Sequence, residues 1–133
     1  MSRMLMGTSR VAEPFWEATK EKVLRLPFCK DCGKAHHYPR NFCPYCHGSN
    51  LEWREASGLG TIYAVTVCHK AGLPTMSAQV PYAVALVDLA EGPRMMTNIT
   101  GLQDAHTAKV GDKVKVAWEE AGGGKHLAVF QLA

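Results

Sequence analysis

"FCKDCGKAHHYPRNFCPYCHGSN", residues 28–50, holds four of the chain's five cysteines as two Cys-x-x-Cys pairs, Cys29/Cys32 and Cys43/Cys46. Ten residues, 33–42, separate the pairs. A Cys-x-x-Cys segment suits a tight turn whose backbone N–H groups face the sulfurs. Two such turns facing each other bring four thiolates to tetrahedral corners, the arrangement of a structural zinc site. Gly33 follows Cys32, where the turn needs a positive φ. His47 stands at the equivalent place after Cys46, with Gly48 one later, and His enters that conformation at some cost. Other readings compete with zinc. A thioredoxin-type redox pair needs a Cys-x-x-Cys at a helix start in a βαβ setting, and these surroundings read as loop. Disulfides and an iron–sulfur cluster complete the alternatives. His36, His37 and His47 are substitute ligands in principle; beside four thiolates they are expected at the surface or supporting the ligands from outside. A site whose four positions are all protein atoms leaves no place for water or substrate. It folds a small ribbon and performs no hydrolysis.

The chain has 133 residues, room for one ordinary domain or two very small ones. Apolar residues make up 47% of it, enough for a core and against disorder. The net charge of +3 sits entirely in residues 1–60, with nine Lys/Arg against six Asp/Glu; residues 61–133 carry six of each. A strong nucleic-acid binder shows a denser basic stripe. The apolar run in "MSRMLMGTSRVAEP" is too short for a signal-peptide core, and no window approaches the roughly 20 apolar residues of a membrane span. A cytoplasmic location with reduced thiols and no membrane contact is expected, which argues against disulfides.

"PFWEATKEKV" (14–23) reads as a short helix, with Pro14 in the first turn, Phe15, Thr19 and Val23 on one side and Trp16 beside them. Glu21 and Arg25 pair at i, i+4 if the helix reaches that far, and Pro27 ends it. "LRLPF" then enters the ribbon as a strand. Such a helix is unstable alone and must dock. From Leu51 the texture becomes β: "LEWREASGLGTIYAVTVCHK" with Gly58 and Gly60 as a bend, a hairpin of "PYAVALVDLA" (81–90) and "RMMTNITG" (94–101), then "KVKVAWEE" (113–120) and "KHLAVFQLA". Val114, Val116 and Trp118 share one face. Five antiparallel strands fit a small OB-type Greek-key barrel, with an open sandwich as the alternative. The fold class expected is mainly β: a helical segment over 1–26, a zinc ribbon over 27–52 and a five-stranded OB-fold barrel over 53–133. Cys68 lies in a strand-like run and reads as a buried, inert thiol; His69 beside it points to the opposite face of a strand. Eight of the eleven aromatics fall between Phe15 and Tyr63, more than a ribbon buries alone. They fill a seam within the chain or face a partner.

The order of parts resembles the zinc-ribbon/OB-fold family of acyl-CoA-associated proteins, long catalogued as a domain of unknown function. The resemblance spans about Phe15 to Phe130, through "FWEATKEKVLRLPFCKDCG", "YPRNFCPYCHGSNLEWREASGLGTIYAVTV", "PYAVALVDLAEGPRMMTNITG" and "KVGDKVKVAWEE". The middle piece is the most specific, and His47 is its clearest departure. The resemblance implies a rubredoxin-like ribbon with one structural zinc. It also implies an accessory subunit beside a thiolase-fold or related CoA-thioester enzyme: an acyltransferase, a hydroxymethylglutaryl-CoA synthase or an aldolase of steroid side-chain degradation. Assembly would be hetero-oligomeric. A direct CoA contact would fall to Lys30, Lys34 and Arg40, cations near the ribbon whose plainer role is solvation.

Two further classes remain. A nucleic-acid-binding ribbon/OB module needs stacking aromatics on the second and third barrel strands, where only Tyr82 stands, and basic charge that the barrel half lacks. A free-standing enzyme would need His69, His106, Asp88 and Asp104 to cluster, which no spacing predicts; no catalytic residue is assigned.

Overall fold

The computed structural model describes residues 9–70 and 80–133. The reading of the first eight residues lies outside that range. A 3-10 turn, Arg10–Ala12, leads into helix α1, Glu13–Thr19, with Pro14 in its first turn. The helix stops short of the expected residue 23. The chain leaves it through Lys22, at φ 59°, and the Val23 N–H closes the turn on the Ala18 carbonyl at 3.1 Å. Arg25 therefore stands in a strand and not one turn beyond Glu21. Phe15 and Thr19 are buried as expected, with Trp16 packed beside the core.

Strand β1, Arg25–Cys29, pairs antiparallel with β2, Leu51–Glu55, in register from Arg25↔Glu55 to Cys29↔Leu51. The ribbon's two Cys-x-x-Cys turns lie between these strands. The long β-rich run beginning at Leu51 is thus two strands. β2 belongs to the ribbon, and β3, Leu59–Cys68, opens the barrel. Next come β4 (Tyr82–Leu89), β5 (Arg94–Ile99), β6 (Lys113–Glu120) and β7 (His126–Leu132). Their order is β3-β4-β5-β7-β6, closed back onto β3, as in an OB fold.

One feature departs from five antiparallel strands. β5 and β7 pair parallel, at Ile99↔Phe130. The connector after Ile99 carries the chain past β5's neighbour position to β6, and β7 returns into the gap running beside β5. Alternation along β4 sends Ala83, Ala85, Val87 and Leu89 inward, where Ile62, Met95, Ile99, Val114 and Phe130 meet them. Gly60 sits where β3 pairs with both β4 and β6; a Cβ there would come within 2.5 Å of Val87 Cγ1 and 2.9 Å of the Asp88 carbonyl oxygen. This close approach, not a turn, requires glycine.

α1 packs on β1 and β7. Thr19 Oγ1 accepts from the His126 N–H at 3.2 Å, and His126 Nδ1 lies 2.8 Å from the Thr19 carbonyl oxygen. Phe15, Leu24, Leu26 and Ala35 join the barrel residues in one continuous core. No helix among the described residues is long and apolar enough to cross a membrane.

Candidate metal centre

The two turns of the ribbon have the same construction. Gly33 N–H donates to the Cys29 carbonyl at 2.9 Å, and His47 N–H to the Cys43 carbonyl at 2.8 Å. Each turn closes through a left-handed residue, Gly33 at φ 77° and His47 at φ 64°, so His47 takes the conformation that its position demands. The turns are locked from behind by Cys29 N–H on the Lys34 carbonyl and Cys43 N–H on the Gly48 carbonyl. Tyr45 N–H also faces Cys43 Sγ at 3.4 Å.

This construction brings the four sulfurs together. All lie within 4.8 Å of one another, with Cys29–Cys46 at 3.6 Å and Cys32–Cys43 at 3.5 Å. Four thiolates at about 2.3 Å from one zinc ion sit about 3.8 Å apart, so the cage fits the ion. The protons are shared unevenly. Burial pushes the Cys43 thiol up, but the N–H groups of Cys46 and Tyr45 and the neighbouring thiols outweigh it and bring it to about 7. At Cys46 the Gly48 N–H pulls down, but the Cys29 sulfur, burial and the other thiols push it up to about 12. Thiols this close do not all ionise without a cation among them; a divalent ion supplies that charge. The four cysteines are thus positioned to bind one metal ion, and four sulfurs would fill the positions of a tetrahedral one.

Of the three histidines near the cage, one lies at the surface as expected and two do not. His47 is exposed and packs edge-on to Phe42. His36 and His37 are not at the surface. His36 is buried, with neither ring nitrogen partnered, and His37 is half-buried against Phe15. Burial, then Arg40, lowers the His36 pKa; burial, then His36, lowers that of His37 to about 4. Both are neutral, and neither belongs to the sulfur cluster. Cys68 is half-buried rather than buried.

Of the cations near the ribbon, Lys30 lies 3.7 Å from Glu52 and Lys34 is over the Tyr45 ring, while Arg40 is exposed. The aromatics divide. Phe15 and Trp16 fill the seam, whereas Tyr38, Phe42, Tyr45 and Tyr63 are exposed. An apolar hollow of about 460 Å³ opens where helix, ribbon and barrel meet, lined by Phe15, Trp16, His37, Tyr38, Met95 and Met96 among others. Sequence reasoning did not locate this hollow; the surplus of aromatics before Tyr63 was its signal. Asp88 engages Arg94, which stacks on Tyr63, far from the fate of the other three residues weighed for catalysis: His69, His106 and Asp104 come together at one end of the barrel.

Two family models match consecutive parts of the chain. A family described as the ChsH2 rubredoxin-like zinc ribbon domain matches residues 16–52, and the ChsH2 C-terminal OB-fold domain matches 53–119. The chain belongs to the ChsH2 zinc-ribbon and OB-fold family. It is 36% identical over 120 residues to a probable enoyl-CoA hydratase alpha subunit of Thermomonospora curvata, covering 90% of this chain and 37% of that relative. It is 33% identical over 86 residues to a DUF35 domain-containing scaffold protein of Methanocaldococcus jannaschii, covering 63% of this chain and 60% of the relative. A 3-oxo-4,17-pregnadiene-20-carboxyl-CoA hydratase alpha subunit of Mycobacterium tuberculosis is 30% identical over 79% of this chain and 33% of its own length. The chain therefore spans about a third of the hydratase subunits it matches. Among solved structures, a chain of the Ltp2-ChsH2(DUF35) aldolase superposes with a TM-score of 0.84 at 32% identity, covering 96% of this chain and 98% of that one.

Proposed function

We propose that this member of the ChsH2 family is a non-catalytic accessory subunit that bridges or completes a CoA-thioester enzyme, a thiolase-like acyltransferase or a retro-aldolase. The observation that carries the reading is the likeness, along 96% of the chain, to a chain of the Ltp2-ChsH2(DUF35) aldolase. The relatives named as enoyl-CoA and pregnadiene-carboxyl-CoA hydratase alpha subunits support a setting of CoA-thioester chemistry. The surface agrees with a docking role. Tyr38, Phe42, Tyr45 and Met96 are exposed at and around the ribbon, and large exposed side chains of this kind anchor interfaces.

In this reading Cys29, Cys32, Cys43 and Cys46 hold one zinc ion, which supplies folding energy to the ribbon and takes no part in turnover. Lys30, Lys34 and Arg40 would meet CoA phosphates; all three are exposed, and Arg40, which is not drawn toward Glu52 as Lys30 is or over the Tyr45 ring as Lys34 is, is the one to test. Arg40→Gln in the assembled complex should raise the KM for a CoA thioester and leave that for the matching pantetheine thioester unchanged.

The reading as a whole is tested by capture with a tagged copy from native extract, with mass spectrometry and zinc analysis of one eluate. A CoA-thioester enzyme at fixed ratio, with one zinc per chain, is expected. Zinc-loaded chain that elutes alone, or with nucleic acid, would overturn it.

A further inference from the structure

His69, Asp104 and His106 are brought together by closure of the barrel. His69 follows the last residue of β3, and Asp104 and His106 belong to the 3-10 turn Ala105–Thr107 on the connector between β5 and β6. The two imidazole rings stand 5.2 Å apart between centroids, with planes inclined at 32°. Asp104 Oδ1 accepts from the His106 backbone N–H at 2.9 Å and lies 3.1 Å from His106 Nδ1. The first contact caps the turn and fixes where His106 starts. In the second the carboxylate can only accept, so Nδ1 is the donor, which leaves Nε2 as the ring nitrogen a metal ion would take.

A histidine that ligates a metal is typically held in this way, with one nitrogen on a carboxylate and the other free. Two imidazoles bound to one tetrahedral ion at about 2.0–2.1 Å have ring centres about 5 Å apart, the separation seen here. The Asp104 carboxyl stays ionised, because first the His106 N–H and then its ring hold it below the usual carboxylate range. Both imidazoles are exposed, so a hydrated ion reaches them from solvent.

We propose that His69 and His106 form a second metal site, oriented by Asp104, for a borderline divalent cation of the zinc and nickel class. Two nitrogen donors suit such ions better than calcium or magnesium, which take oxygen. The site is the opposite of the ribbon's. Four thiolates close the first around its ion, whereas two imidazoles leave coordination positions open to water.

The test uses the zinc-loaded full chain without a histidine tag, titrated with nickel(II), with both metals counted after equilibrium dialysis. One nickel per chain is expected in addition to the zinc. His69→Gln and His106→Gln should each abolish it. Asp104→Asn should weaken it about tenfold, because asparagine still caps the turn but no longer supports the imidazole as a carboxylate does. His106 and Asp104 are well exposed, at 58% and 69%, so the variants should keep the wild-type melting temperature. The proposal is overturned if the wild-type chain takes up no nickel, if nickel enters only as zinc leaves, or if the two glutamine variants bind it as well as wild type. Asp104→Asn binding as tightly as wild type would remove Asp104 from the site.

Discussion

The second turn of the ribbon and the barrel are held together by different physics. Between Asn41 and Asn50 only Cys43 is buried; Phe42, Tyr45, Cys46 and His47 face outward. Ten residues with no apolar interior cannot recover the entropy of being ordered. Their order rests on hydrogen bonds within the turn and on the metal that the cysteines are placed to hold. The barrel needs no such device. Ile62, Val87, Val114 and Phe130, each 1% exposed or less, close its interior, and the sheet leaves no free edge. One chain thus contains a part folded by coordination and a part folded by burial. The first can present aromatics outward because it does not need them inside.

The largest effect should come from breaking the coordination. Cys43→Ser, or a strong chelator, should take the zinc content from one per chain to none. Structural zinc contributes on the order of 10 kcal/mol to small ribbons. The amide NMR signals of residues 28–50 should collapse while those of β3 to β7 persist. A barrel that melts with the ribbon would show that the two parts share one source of stability. The reverse experiment is Phe130→Ala. Removing a fully buried phenylalanine should cost about 3–5 kcal/mol, read as a lower denaturant midpoint. Below that midpoint the variant should still bind one zinc. Loss of zinc under native conditions would mean that the ribbon depends on the barrel interior.

How much of this was readable from residues follows the same divide. The metal cage is local: Cys-x-x-Cys spacing and the glycine after Cys32 determine a turn within six residues, and even the departure at His47 could be reasoned through. The β4–β5 hairpin is local too, and it fell where the pattern placed it. What escaped was non-local. Nothing in "TKEKVLR" marks Lys22 as the end of α1, because that depends on where β1 must start. The parallel β5–β7 pair arises only when the barrel closes. His36 and His37 look like polar loop residues in sequence; His36 is buried, and His37 is half-buried against Phe15 of α1, a neighbour more than twenty residues away in the chain. His69 and His106 lie 37 positions apart, and only the packing of the β5–β6 connector against the end of β3 joins them.

His37 sharpens the comparison from the seam between the parts, because it belongs to the ribbon and lines a hollow whose other wall is the barrel. Its pKa is lowered to about 4, by burial first and then by His36. In the unfolded chain it returns to about 6.5. Between those values the unfolded state binds a proton that the native state does not, so stability rises with pH across the window. The contribution is complete above about 6.5 and is lost as pH falls toward 4. Going from pH 7 to pH 5 should cost wild type about 2 kcal/mol from this group. His37→Phe, which keeps the ring and removes the proton site, should flatten that part of the profile. Zinc release at low pH is common to both proteins and cancels in the difference of their denaturant midpoints. Equal slopes would mean that His37 reaches solvent in the native state and that the seam is open.

The smallest expected effect isolates the link between α1 and the barrel. Thr19 is fully buried, donates from Oγ1 to the Trp16 carbonyl at 2.6 Å and accepts from the His126 N–H at 3.2 Å. Valine has the same shape without the hydroxyl. Thr19→Val therefore leaves the His126 N–H without its partner while packing is kept, at a cost of about 1–2 kcal/mol. Zinc content should be unchanged, and so should the exchange protection of the barrel's inner strands. The loss should appear as faster amide exchange in α1, because the bond ties the helix to the start of β7 and to neither interior. A loss as large as that of Phe130→Ala would mean that α1 belongs to the barrel's cooperative unit. The chain would then divide between one zinc-held turn and everything else, with the helix counted among the parts folded by burial.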